Sequence, residues 1–202
     1  MQDKLFHNHY RIQSARAAWH AYNGGMYFVT ICTKNREHYF GEIENEEMHF
    51  SKIGEYAQIC IQHNREHHPY SEIPLWVVMP NHIHAIVVID GDKIPYDNRI
   101  IKTMNDNVVE TFHETSLQES IKIATQMQSW LSVVVRLFKQ SITRYANENA
   151  ITFAWQPRFY DHIIRDTGEL NRIAEYIVQN VVKWDCDEFN GLHVAVDSTH
   201  QL

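Results

Sequence analysis

Residues 76–89, WVVMPNHIHAIVVI, constrain the fold more than any other stretch of the 202-residue chain. The run is dense in β-branched residues and reads as strand, but Pro80 has no N–H to give to a ladder and belongs at a strand start, an edge or a bulge. The spacing therefore predicts two strands, 73–79 and 82–89, around a Pro80–Asn81 turn. Strand side chains alternate faces, so Ile83, Ala85, Val87 and Ile89 share a core-facing side. His82 and His84 share the other, about 7 Å apart. Two imidazoles on one strand face need a reason in a chain able to place Val or Ile there.

The remaining elements follow from periodicity. MYFVTICT at 26–33 is a strand, and EMHFS at 47–51 is a short hairpin partner. In 52–68, Ile53, Tyr56, Ala57, Cys60 and Ile61 recur at helical spacing. QSWLSVVVRLFKQSITRYAN at 128–147 is an amphipathic helix with Leu131, Val134, Val135, Phe138, Ile142 and Tyr145 along one side. A short strand at 159–164 precedes a helix from 168 to 183. The order β-α-β-β-α-β plus a last helix predicts an α+β, ferredoxin-like sandwich: an antiparallel sheet with helices on one face and an additional C-terminal helix. We divide the chain into an arm (1–25), one domain (26–184) with a polar acidic insertion (91–120), and a tail (185–202).

Composition excludes some classes. No run of 18 apolar residues offers a membrane span, and the arm MQDKLFHNHYRIQSARAAWHAYNGG lacks the apolar core of a secretory signal. Cys32, Cys60 and Cys186 are odd in number and scattered, which fits reduced thiols and a cytoplasmic location. The formal charge of −7 weighs against a nucleic-acid partner, but its distribution is uneven. Residues 90–120 hold seven acids against three bases, and 185–202 hold four acids and no base, whereas 127–183 carry seven bases against five acids. The acidity is peripheral, and a basic surface on the second half stays open.

For His82 and His84 the plain alternative is a pair of hydrogen-bonded strand histidines. A shared divalent ion is the sharper one, and it requires further oxygen or nitrogen donors. A cupin-type site needs a barrel, which the helical content opposes. A histidine-triad hydrolase needs a third histidine where Ile86 stands. An HUH endonuclease needs a helix-borne tyrosine.

The last helix offers one. With each residue turning the helix by about 100°, Asn180 lies about 40° and Glu169 about 20° to one side of Tyr176. Lys183 lies about 20° and Arg172 about 40° to the other side. Leu170, Ile173, Ala174, Ile177, Val178, Val181 and Val182 centre about 140° away from the tyrosine. Tyr176 thus lies in a polar stripe. It is either a surface tyrosine at a helix edge or a nucleophile, with the Asn180 amide as a further metal ligand and Arg172 and Lys183 steadying phosphate oxygens.

VVMPNHIHAIV, RLFKQSITRY and FAWQPRFYDHIIRDTGELNRIAEYIVQN, in that order, closely resemble the REP-associated tyrosine transposases, members of the HUH single-tyrosine transposases, over about residues 27–183. The resemblance implies a metal pair at His82 and His84, completed by Asn180, and a catalytic Tyr176. It implies Mg²⁺ or Mn²⁺, and cutting and joining of single-stranded DNA at hairpin-forming sites through a 5′-phosphotyrosine. No membrane partner is expected, and relatives of both kinds leave a homodimer open beside a monomer. Two departures stand out: Val181 follows Asn180 where the family often has proline, and the 91–120 insertion is longer than usual.

Other candidates carry two readings each. Arg136 and Lys139, with Gln140, Thr143 and Asn147, form either a solvated helix face or a contact stripe for a DNA backbone. Arg158 is a further candidate DNA contact, beside Trp155, Phe159 and Tyr160, which could stack on bases or pack. His162 is either packed or stands behind the metal ligands, and Tyr160 is the competing nucleophile. The expected function is metal-dependent, single-tyrosine DNA strand transfer. The alternatives are a domesticated hairpin-DNA-binding protein without transposition and a metal-dependent phosphohydrolase without a covalent step.

Overall fold

The computed structural model describes residues 5–6, 10–11, 24–94, 129–187 and 189–190. Most of the expected N-terminal arm, the insertion beyond residue 94 and most of the tail lie outside them. After the short pair β1 (Leu5–Phe6) and β2 (Tyr10–Arg11), the order is β3 (Gly25–Cys32), β4 (Gly41–Glu44), β5 (Glu47–Phe50), α1 (Lys52–Gln62), α2 (Asn64–His67), β6 (Ser71–Val78), β7 (His82–Ile89), α3 (Trp130–Glu148), β8 (Tyr160–Ile164) and α4 (Thr167–Gln179). Sheet order is β6-β7-β3-β8, antiparallel throughout, and β4 and β5 form a separate hairpin. This is the split-βαβ arrangement of a ferredoxin-like α+β fold.

Local chemistry sets the boundaries. Ser51, Ser129 and Asp166 cap α1, α3 and α4, each side chain accepting an N–H of the first turn. Pro74 lies in the edge strand β6, where the register shifts between Glu72 and Leu75, the kind of place a proline can occupy. The expected helix 52–68 is broken at His63 into α1 and α2.

Strand alternation gives the sheet two different faces. Tyr27, Val29, Ile31, Ala85, Val87 and Ile89 are buried beneath Leu131, Val134 and Val135 of α3. Ile53, Ala57 and Ile61 of α1 pack with Ile83 and Ile142 into an adjoining cluster, and the Tyr56 and Tyr145 rings stack at 4.0 Å between the two helices. The opposite face carries Phe28, Thr30 and Cys32 of β3, His82 and His84 of β7, and Tyr160 and His162 of β8, in register across the strands. α4 crosses this second face.

α4 is shorter than the expected 168–183 helix. Asn180 is its C-cap residue, and Lys183 lies beyond it, before a single turn at Trp184–Cys186. Its orientation also corrects the simple amphipathic reading. Val178 and Val182 are 68% and 57% exposed, while Ile177 and Asn180 are buried. The helix turns the seam between its polar and apolar stripes, not the centre of the apolar one, toward the sheet.

Candidate functional site

His82 and His84 are fully buried, with ring centroids 4.5 Å apart. Their proton positions follow from their neighbours. The Asn81 amide nitrogen donates to the carbonyls of Arg36 (3.2 Å) and Phe189 (2.8 Å), so the amide oxygen faces His82 Nδ1 at 2.8 Å. An oxygen there can only accept, so Nδ1 carries the proton and the lone pair sits on Nε2. For His84, Thr30 Oγ1 stands 2.9 Å from Nδ1 and the Tyr176 hydroxyl 3.1 Å from Nε2. With Nδ1–H donated to Thr30, Nε2 accepts the phenol's proton.

Both imidazoles are held neutral. Burial pushes His82 well below the usual histidine range, assisted by His84 and the Arg36 guanidinium and opposed only by the Asn180 amide. Burial, then Arg36, lowers His84 to about 3.

One feature is unusual in a packed interior. His82 Nε2 and Asn180 Oδ1 are both buried, and neither has a hydrogen-bond partner. Two buried acceptor lone pairs without a donor are costly, since an unsatisfied buried polar group forfeits about 1–3 kcal/mol. A cation would satisfy both. Among the described residues no group of three His, Cys, Asp or Glu side chains gathers as a metal cluster, so an amide must complete any set built here. Two neutral imidazoles and an amide oxygen fit a divalent ion while leaving it positions for substrate. The ion implied by the sequence motif therefore fits the residues present.

Tyr176 is 43% exposed. It reaches the histidines from an open cleft of about 330 Å³ lined by Tyr176, Gln179, Asn180, Lys183, Cys186 and Asp187. Phe28 stacks on His84 at 5.1 Å and meets the Tyr176 ring edge-on at 6.1 Å, steadying both. On the other side of His82, the Phe189 ring lies 4.6 Å away, and the Arg36 guanidinium stacks 3.9 Å over Phe189.

The structure thus brings together His82, His84, Tyr176 and Asn180, with Lys183 at the cleft wall hydrogen-bonded to Gln179. His162 lies on the same sheet face and binds Glu169 at the start of α4. Arg172 is exposed on α4, and Arg158 is exposed just before β8. Arg136 and Lys139 belong to α3, across the sheet. Lys139 donates to the carbonyls of Gln156 (2.9 Å) and Arg158 (2.5 Å), and burial lowers it to about 8. Tyr160 is 51% exposed and pairs with Thr30 of β3, two strand spacings from β7.

Sequence reasoning missed Asn81, Thr30 and Arg36. Asn81 had a signal, since it precedes the first histidine in the turn. Thr30 and Arg36 had none, because only strand register and a loop bring them close.

A ferredoxin-like sheet thus gathers two imidazoles, an amide and a phenol on one face. No family model matches the chain. An uncharacterized protein of Haemophilus influenzae is 33% identical over 165 residues, covering 81% of this chain and 84% of that protein. A second Haemophilus influenzae protein, provisionally named a REP-associated tyrosine transposase, is 29% identical over 161 residues, 79% of this chain and 72% of that one. A solved structure of a REP-associated tyrosine transposase bound to a REP hairpin aligns with a TM-score of 0.46 at 20% identity, over 86% of this chain and 74% of that one. The chain is thus related over most of its length to the uncharacterized Haemophilus influenzae protein, and more distantly to the one provisionally named a transposase. No described helix is long and apolar enough to cross a membrane.

Proposed function

We propose that this transposase relative cuts and rejoins single-stranded DNA at hairpin-forming sites, with Tyr176 as nucleophile. His82, His84 and Asn180 would hold Mg²⁺ or Mn²⁺. Such an ion supplies charge neutralisation at a non-bridging phosphate oxygen. The observation that carries the reading is the 3.1 Å approach of the Tyr176 hydroxyl to His84 Nε2, beside the unpartnered His82 Nε2 and Asn180 Oδ1.

In this reading the Tyr176 oxygen forms a bond to phosphorus as the bond to the 3′ oxygen breaks. The phenol gives up its proton and the departing oxygen gains one, leaving a 5′-phosphotyrosine and a 3′-hydroxyl. The ester keeps the free energy of the broken bond, so a second 3′-hydroxyl can reverse the step and join strands without a nucleotide cofactor. The half-exposed ring lets a phosphate approach, while the buried ligands keep fixed positions. Lys183 at the cleft wall, with Arg158 and Arg172, would contact phosphates.

The test is adduct formation on a hairpin with single-stranded flanks, in Mn²⁺. Wild type forms a covalent protein–DNA species and Tyr176→Phe forms none; an adduct with Tyr176→Phe refutes the assignment. His82→Ala abolishes cleavage but leaves hairpin affinity within a few-fold. Wild-type binding without cleavage would favour the domesticated-binder alternative, and cleavage with no trappable adduct would favour a phosphohydrolase.

A further inference from the structure

We propose that the His162–Glu169 pair is a positioning tie that sets where the Tyr176 phenol stands over the histidine pair. The inference rests on the reading of Tyr176 as nucleophile and adds a residue, Glu169, that contacts neither metal ligand nor phenol.

Glu169 Oε1 meets His162 Nε2 at 2.6 Å, and Oε2 accepts the Arg165 N–H at 2.8 Å. The Glu169 N–H is itself capped by Asp166 Oδ1 at 2.8 Å. His162 holds the Glu169 carboxyl below its ordinary range, with the Arg165 N–H adding to the effect. The carboxylate is thus fixed at both oxygens. It joins the first turn of α4 to β8.

The distances show why this point matters. Glu169 and Tyr176 are seven residues apart, so they lie within about 20° of each other around the helix and about 10.5 Å apart along it. His162 pairs with Phe28, which pairs with Ile86 of β7, and His84 is two residues from Ile86. From His162 to His84 is therefore two strand spacings across and two residues along, about 12 Å. The helix spans that diagonal, with Glu169 on His162 at one end and Tyr176 on His84 at the other. Asn180, about 6 Å further along the helix axis, falls near His82.

Ile177 is the one fully buried apolar side chain of α4, Leu170, Ile173 and Ala174 are half-buried, and Val178 faces solvent. A helix with a single fully buried apolar anchor can pivot about it when a polar contact at its first turn is removed. A shift of about 1 Å at a reacting group can cost about 100-fold in rate.

The experiment compares Glu169→Ala, Glu169→Gln, His162→Ala and the double alanine variant in the full chain. Single-turnover adduct formation and affinity for the same hairpin are measured, alongside fluorine NMR of a fluorotyrosine placed at 176 without metal. Glu169→Ala and His162→Ala should each slow adduct formation about 10- to 100-fold, with hairpin Kd within about twofold. The double variant should be no slower than the worse single, because both break one contact. Glu169→Gln, which keeps an acceptor for the Arg165 N–H, should recover most of the rate. The fluorine resonance should move toward its denatured value in the alanine variants.

Wild-type rates in both alanine variants, multiplied losses in the double variant, or an unmoved fluorine signal would each overturn the tie. If Glu169→Ala does not fold, the slowed adduct formation of His162→Ala against the near-wild-type rate of Glu169→Gln carries the same comparison. An adduct formed by Tyr176→Phe would refute the nucleophile assignment instead, and the two failures are distinct.

Discussion

Asn81→Ala should damage both the fold and the metal site, and by amounts the structure sets. The Asn81 side chain makes three hydrogen bonds, to the Arg36 carbonyl, the Phe189 carbonyl and His82 Nδ1, and it is fully buried. At about 1 kcal/mol net for each, the loss is about 3 kcal/mol, and more if no water enters to replace them. With a urea m-value of about 2 kcal/mol/M, the midpoint should fall by about 1.5 M. The imidazole of His82 would also lose the acceptor that fixes its proton on Nδ1. Loss of such a partner typically weakens metal binding about 10- to 100-fold. Urea denaturation without metal reads the first effect, and Mn²⁺ titration calorimetry in native buffer reads the second. Asn81→Asp keeps an acceptor for Nδ1–H but loses both donors, so it should retain more metal affinity than Asn81→Ala. Unchanged Mn²⁺ affinity in Asn81→Ala would refute the argument that this amide sets the ligand tautomer, whatever happens to stability.

Acid should destabilise the metal-free protein through its buried histidines. Above pH 6.5 His82 and His84 are neutral in both the native and the unfolded chain, so their contribution is fully present. Between 6.5 and the native His84 value of about 3, the unfolded chain takes up protons that the native state refuses. Stability then falls as pH drops, by about 1.4 kcal/mol per pH unit for each histidine; equilibrium unfolding at stepped pH should show the slope, and His84→Gln should flatten it. Tyr160→Phe should form the covalent adduct at the wild-type rate in gel assays, since its ring has no ligand beside it; loss of adduct would exchange the two tyrosines' roles. Gly54→Ala should destabilise strongly in thermal melts, because a Cβ there would stand 2.1 Å from the Phe40 carbonyl oxygen. Leu131→Ala, at a fully buried position under the sheet, should cost about 2–5 kcal/mol with little effect on metal affinity, measured by the same denaturation and titration.

Most of the elements and the division of the sheet's faces were legible in the chain alone. Period-two alternation put His82 and His84 opposite Ile83, Ala85 and Val87, and a 3.6-residue period put Tyr176 and Asn180 on one stripe. Both are local consequences of backbone geometry, so a single chain displays them. Val178 and Val182 of the apolar set are exposed while Ile177 and the polar Asn180 are buried, so the inward face of α4 lies at the edge of the apolar stripe and not at its centre. Which stripe of α4 faces inward was not legible, and packing against the sheet settled it. The same holds for Thr30 on His84, Asn81 between Arg36 and Phe189, and Glu169 on His162. These pairings depend on strand register and helix angle across as many as 108 residues of chain. Periodicity carries no information about contacts at that separation, and only the folded arrangement brings the partners together.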